Sequence, residues 1–542
     1  MRLPRTLVAL IGAVVVSAGL IDSAMAASRT PLERYRPTYH FTPQQNWMND
    51  PNGLVYYRGT YHLFFQHNPF GTLWGNMSWG HATSKDLVNW SEKPVAIPQT
   101  LDQSGKPVED VFSGSVVVDR NNASGFGTRK NPPMVAIYTS NYTPLYPGYP
   151  GFPGLQAQSL AYSTDRGRTW KKYAGNPVLD RSSANFRDPK VFEYEGPAGK
   201  YWVMAAVEAA QHKVVLYKSE NLKDWSYLSE FGLANAAGGL WECPDLFPVK
   251  IEGTDRWKWV MIVNVNPGGV AGGSGGQYFI GDFDGRKFTP DTMVPRSGQT
   301  AEAGRAASLR RGWLDWGRDY YATVSFSGLP RGKAVTIGWM NNWDYALSVP
   351  TATWRGSMSL PRRLRLTATH GGPRLVQEPV GQLESLGRPA ALSVRRPKRI
   401  AGRRMLPVHG ETVRIDATFA PGKADRFGLS VLANRDAETV IGYDTATGEL
   451  FVDRIRSGDV SFSPKFASVE TAPVRLANGR IKLTVFLDRA SVEVFAQHGR
   501  KTITDQVFPP EGADRIAVWA KGGSAKLVRL SVVPMRPMAS RR

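Results

Sequence analysis

The sequence predicts an all-β protein: a five-bladed β-propeller followed by a C-terminal β-sandwich. Three observations lead there. Helical periodicity is scarce, and short alternating or aromatic runs recur with Gly, Pro, Asn and Asp between them. A weak repeat of acidic turn, aromatic strands, third strand and closing Trp or Phe runs through the first two thirds. After Pro361 alternating strands continue, but the acidic-turn repeat stops. An irregular sandwich with accidental similarity is the competing reading of the repeat.

Residues 1–26 read as a secretory signal. Arg2 and Arg5 supply the basic start, and Leu7 to Leu20 is an apolar run too short to span a bilayer. Ala24-Met25-Ala26 offers the small-x-small cleavage site, which places cleavage near Ala26. No later segment is long and apolar enough to cross a membrane. The expected mature protein is secreted, extracellular or periplasmic.

Residues 27–365 are the expected propeller. Unit one runs from Asp50 through Tyr61–Phe65 to Trp90, and unit two from Asp110 through Met134–Tyr138 to Trp170. Unit three runs from Arg187-Asp188-Pro189 to Trp225, and unit four from Glu242 through Trp259–Val263 to Asp284. Unit five starts at Asp315-Trp316-Gly317. Asp50 to Asp315 is 265 residues in four steps, about 66 each, which suits a four-stranded blade with long loops. Residues 366–390 read as a linker. Residues 391–542 read as the sandwich, with alternating runs such as Val413–Phe419 and Ser491–Phe495.

Composition narrows the functional class. Hydrophobic content of 42% and charged content of 21% are those of a folded soluble chain. The single cysteine, Cys243, excludes an intramolecular disulfide, and no His partner lies nearby to make it a nucleophile. The net charge of +21 is spread along the chain, its one dense basic run, 395–404, reading as a solvated linker surface, without the cations and aromatics on one face of a nucleic-acid binder. Eight His without a ligand spacing give no metal site, and no cofactor motif is present. Gly268–Gly276 lacks the Lys-Ser/Thr of a phosphate loop and reads as a flexible loop near the channel rim. Ser163–Trp170 reads as a hairpin turn with a packed Trp.

Three acidic turns carry the chemistry: Asp50 in Asn-Asp-Pro, Asp188 in Arg-Asp-Pro and Glu242 in Trp-Glu-Cys-Pro-Asp. Each precedes a strand-like run at corresponding points of units one, three and four, so a propeller brings them to one funnel. Three converging carboxylates shift one another's pKa, and one should stay protonated near neutral pH. A nucleophile and a general acid are what glycoside hydrolysis requires.

These blocks resemble glycoside hydrolase family 32, the β-fructofuranosidases, over essentially the whole mature chain. Trp47–Gly53, Phe186–Pro189 and Trp241–Pro244 are similar to the family's first three blocks. Phe65–Pro69, Trp74–His81, Phe112-Ser113-Gly114 and Gly338–Met340 match further blocks, and Asp488–Phe495 resembles the signature of its sandwich module. The resemblance implies a nucleophile at Asp50, a general acid/base at Glu242 and a transition-state stabiliser at Asp188. It implies retention, with the two catalytic carboxyls about 5–5.5 Å apart. Asn49, Gln66, Trp74, Phe112, Ser113, Arg187 and Trp339 would line the fructose pocket. The activity it implies is a secreted exo-β-fructosidase acting on levan, inulin and sucrose, without metal or cofactor; the sequence does not fix the oligomeric state, a monomer being favoured. An endo-levanase, a fructosyltransferase and a glycan-binding propeller without turnover are the alternatives.

Overall fold

The computed structural model describes residues 33–143, 154–197, 199–292 and 312–539. The expected signal segment, 1–26, lies outside them. Apart from three short 3-10 turns, the described elements are all strands. No described helix is long and apolar enough to cross a membrane.

Five sheets form the blades, antiparallel except where Trp354–Arg355 joins blade I in parallel. Their innermost strands are Asn46–Tyr57, Pro107–Val118, Phe186–Gly196, Leu240–Lys250 and Tyr321–Ser325. Each touches the next around the ring, and the fifth touches the first. Ser327 closes the circle by bonding blade V to Leu54 and Tyr56 of blade I, both at 2.8 Å. The axis is pinned by buried polar groups. Lys190 Nζ pairs with Asp245 at 3.1 Å and donates to the Ser325 carbonyl at 2.6 Å, tying blades III, IV and V. Ser115 Oγ donates to the Pro189 carbonyl at 2.8 Å and ties blade II to blade III. A buried charge persists because it is paired and hydrogen-bonded.

The closing turns of the repeat have a common cause. Between the third and fourth strands of blades I to IV sits an Asp or Asn: Asp86, Asp165, Asn221 and Asp284. Its carboxylate or amide oxygen accepts from backbone N–H groups two to four residues on. The residue after it is left-handed in all four: Leu87 (φ 67°), Arg166 (65°), Leu222 (66°) and Gly285 (94°). The short polar side chain replaces the ladder where the strand reverses. Ser163–Trp170 is one of these turns, with the Trp170 indole donating to the Gly167 carbonyl at 3.2 Å.

Two expectations need correction. Residues 366–390 are more than a linker: Arg374–Pro379 pairs with Arg362–Thr367 as the outer strand of blade V, followed by the 3-10 turn Gly381–Leu386. Unit five begins not at Asp315 but at Tyr321, and Asp315 belongs to the seam between domains.

The sandwich hangs on one long strand, Arg515–Pro534. Its first half pairs with Arg426–Ala433 and its second with Thr412–Ala420, so it serves both layers. It turns between them at Gly522 (φ 69°) and Gly523 (φ 140°), a conformation that disfavours other residues. The basic run 395–404 leads into Lys398–His409, an exposed strand paired with it.

A buried charge lattice joins the domains. The His40 ring lies between Asp488 at 2.8 Å and Glu493 at 3.0 Å. Arg362 bridges Glu493 at 2.7 Å and Asp315 at 2.8 Å, and Arg454 holds Asp319 at 2.7 Å. All of these side chains are essentially solvent-free. Burial alone would push the His40 imidazole down, but its bonds to Asp488 and Glu493 raise it to about 9. Folded His40 thus keeps a proton that the unfolded chain releases near 6.5. Its stabilisation is complete below that pH and is lost as pH rises through about 9. His40→Gln should cost about 3–5 kcal/mol in denaturant melts at pH 6, because it strands buried carboxylates. The deficit relative to the native protein should shrink between pH 6.5 and about 9.

Candidate active site

The three acids do not sit in turns ahead of the strands. They lie inside the innermost strands, where bulges interrupt the ladder. In blade III, Asp188 and Pro189 face one partner residue between the pairs Arg187–Val207 and Lys190–Ala205. In blade IV, Cys243 and Pro244 do the same between Glu242–Asn264 and Asp245–Ile262. In blade V, Ala322 and Thr323 do so between Tyr321–Trp339 and Val324–Ile337. Asp188 (φ 61°), Cys243 (43°) and Ala322 (51°) are all left-handed. A bulge re-aims neighbouring side chains, and here it turns two successive ones toward the axis.

By this register the acids are not equivalent. Arg187, Glu242 and Tyr321 share one position; Asp188, Cys243 and Ala322 share the next. Blade II contributes Phe112 and Ser113 around its own bulge, and blade I contributes Asn49 and Asp50. The result is two tiers around the axis.

The outer tier is a hydrogen-bonded clamp. Arg187 Nη2 donates to Glu242 Oε1 at 2.9 Å, and the Tyr321 hydroxyl donates to Glu242 Oε2. The Glu242 side chain is 21% exposed and faces the mouth. The inner tier forms the floor. Asp50 accepts from Ser113 Oγ at 2.7 Å and Asn49 Nδ2 at 3.0 Å. Asp188 accepts from the Cys243 backbone N–H at 2.9 Å, and its own N–H donates to Thr139. The Cys243 thiol lies between the two acids, 3.4 Å from Asp50 and 3.7 Å from Asp188. Burial and those charges push that thiol well above its usual range, so it is a packed, neutral donor and not a nucleophile.

Below the floor, Pro51, Gly114, Pro189, Pro244 and Val324 surround a cavity of about 10 Å³. That is at most one water's worth of space. Above it opens a pocket of about 370 Å³ lined by Asp50, Gln66, Trp74, Phe112, Ser113, Arg187, Asp188 and Glu242. Trp74, 46% exposed, stands at the rim with its ring 6.0 Å from Phe112. Gln66 is fixed by donating to the Val111 carbonyl at 3.0 Å.

Two expected lining residues stand behind the wall. Trp339 is fully buried, 5.9 Å from the Trp47 ring and 5.0 Å from Trp343; it is Trp343 that reaches the pocket. Asn49 is buried too, and relays position. It accepts from the Trp47 indole at 2.7 Å and donates to Asp50. Tyr321, Trp343, Gln156, Asn185 and Asn266 complete the site without having been singled out. The glycine-rich segment is not a free loop. Asn342 donates to the Gly272 carbonyl at 3.2 Å and Arg318 to Ala271 at 3.0 Å. No group of His, Cys, Asp and Glu side chains among the described residues is arranged to hold a metal ion.

Electrostatics separate the acids. Burial raises Asp188 to about 7, with Glu242 and Asp50 adding to the rise and Arg187 opposing it. Burial also raises Asp50, the Ser113 hydroxyl offsetting part of it and the Glu242 charge adding to it. Folded Asp188 therefore keeps a proton that the unfolded chain loses near 3.8. That stabilisation is complete at low pH and lost as pH rises to about 7. Asp188→Asn mimics the protonated form. Denaturant melts should show the native protein losing stability relative to Asp188→Asn between pH 4 and about 7.

Comparison with known proteins supplies the family. The model of the glycosyl hydrolases family 32 N-terminal domain matches residues 40–379, and that of its C-terminal domain matches 383–534. The chain is 45% identical over 521 residues to a levanase of Bacillus subtilis, covering 93% of this chain and 71% of that one. It is 44% identical over 516 residues to an extracellular exo-inulinase of Aspergillus ficuum, covering 92% and 94%. Among solved structures, the exo-inulinase of Aspergillus awamori superposes with a TM-score of 0.86 at 42% identity, over 93% of this chain and 99% of that one. A β-fructofuranosidase of Schwanniomyces occidentalis, complexed with fructosyl-erythritol, gives 0.79 at 32% identity, over 93% and 98%. The chain belongs to glycosyl hydrolases family 32 and is a glycoside hydrolase.

Proposed function

We propose that this protein is a secreted, retaining exo-β-fructosidase that removes terminal β-fructofuranosyl units from levan, inulin and sucrose. The observation that carries the reading is the pocket itself, with two carboxylates on its floor and a third toward its opening. A chain end can bring its terminal furanose ring down to Asp50. The bond to be broken then lies beside Glu242, with the rest of the substrate pointing outward. The names of its relatives support fructans as the substrate class.

Asp50 attacks the anomeric carbon while Glu242 protonates the departing oxygen. Glu242 then activates the water that releases fructose. Protonated Asp188 donates to a fructose hydroxyl, and Gln66 and Arg187 supply further donors. The clamp decides where the acid proton rides. A guanidinium can only donate, so Oε1 of Glu242 stays an acceptor. A phenol can donate or accept, so Oε2, facing Tyr321, is the oxygen able to carry the proton.

Asp50→Ala and Glu242→Ala should each abolish hydrolysis; a purified variant with near-native turnover would sink the assignment. Tyr321→Phe should lower kcat by roughly tenfold or more while KM moves much less. Chromatography of early levan and inulin digests should show fructose alone; early oligosaccharides would indicate an endo-acting enzyme. At high sucrose, products longer than sucrose would indicate transfer. NMR before mutarotation should find β-fructose first, and the α-anomer would exclude retention.

A further inference from the structure

A second pocket, of about 250 Å³, opens on the seam between the propeller and the sandwich, among none of the residues of the active site. Blades IV and V line it with Tyr278 and Arg374, and the sandwich with Arg475, Arg500 and Lys501. Four cationic side chains line it and no carboxylate is among the described lining residues. None of the four forms an ion pair with a described carboxylate. Elsewhere on this seam cations are matched: Arg362 and Arg454 each have buried acids. Lys501 lies instead over the face of Trp316, 4.1 Å from the ring centroid. Its burial, and then the charge of Arg374, push the ammonium down to about 8. An anion would relieve both effects.

We propose that this pocket binds a phosphate-class oxyanion, either as the free ion or as the end group of a phosphomonoester, bridging the two domains. A neutral sugar brings no charge to set against the four cationic side chains of this wall, whereas an oxyanion does. A monocarboxylate offers one charge in one plane. A phosphate offers nearly two charges and three acceptor oxygens, which guanidinium forks and an ammonium can share. Because the cations come from both domains, binding stabilises their docked arrangement by mass action.

The test uses the full chain at constant ionic strength, with chloride as the control. Inorganic phosphate and glycerol 3-phosphate are titrated by calorimetry and by thermal melting. A saturable rise in Tm with inorganic phosphate identifies the free ion; a rise with glycerol 3-phosphate alone identifies the end group. Arg374→Gln, on the exposed side, and Lys501→Met should each weaken that binding by about tenfold or more, with fructoside turnover unchanged. The proposal is overturned if neither anion exceeds chloride, or if binding is undiminished in both variants. Arg374→Gln decides the matter should Lys501→Met fail to fold.

Discussion

Strands meeting around an axis must somewhere stop being regular, because a continuous ladder presents only every second side chain to the centre. In this protein the irregularity is a bulge in each innermost strand, and the site is built from it. With one unpaired position, blade III delivers both Arg187 and Asp188, and blade IV both Glu242 and Cys243. That is why two tiers of functional groups fit around one axis. It also explains the left-handed backbone at three equivalent positions on three blades. Proline after Asp188 and Cys243 suits a place where the ladder has already lapsed.

The tiers give the carboxylates different neighbours. Asp50 and Asp188 share a dry floor with a neutral thiol between them, whereas Glu242 is gripped by an arginine and a phenol nearer to solvent. Blade geometry thus assigns each acid an environment. No described residue of the sandwich lines the pocket. The sandwich's role is to hold the ends of the propeller chain, with Asp488 and Glu493 gripping His40 near the start and Arg362 in blade V. Removing both charges from water is costly, and the pairing is worthwhile only because each acid meets several donors.

The fold was legible in the sequence because its repeat rests on turn chemistry. Asp86, Asp165, Asn221 and Asp284 stand where a side chain must replace backbone partners, and few residues can. The carboxylates were legible because no structural turn requires an acid there. The equivalence drawn between them was off by one residue, since a bulge shifts register without changing composition. Tyr321 was hidden in Tyr320-Tyr-Ala-Thr-Val, an unremarkable strand whose inward face only the bulge defines. Trp339 and Trp343 sit four residues apart in one aromatic cluster, and only packing tells which reaches the pocket. Asp315 looked like the start of a blade because the domain seam also demands a buried acid. The outer strand of blade V is six residues behind a Gly-Gly-Pro turn that lacks the acidic residue of the repeat, so it read as a connector.

The narrow space beneath Asp50 bears on how a polymer is consumed. Among the described residues the space below the floor is about 10 Å³, too small for a sugar, so what enters the pocket leaves by the mouth that Trp74 borders. Once the terminal unit is held on Asp50, the shortened chain fills that mouth and must depart before water arrives and before fructose escapes. The enzyme on this reading cannot keep hold of a polymer between cleavages. It works distributively, trimming many chains by one unit each, and a population of fructans would shrink together rather than vanish one molecule at a time.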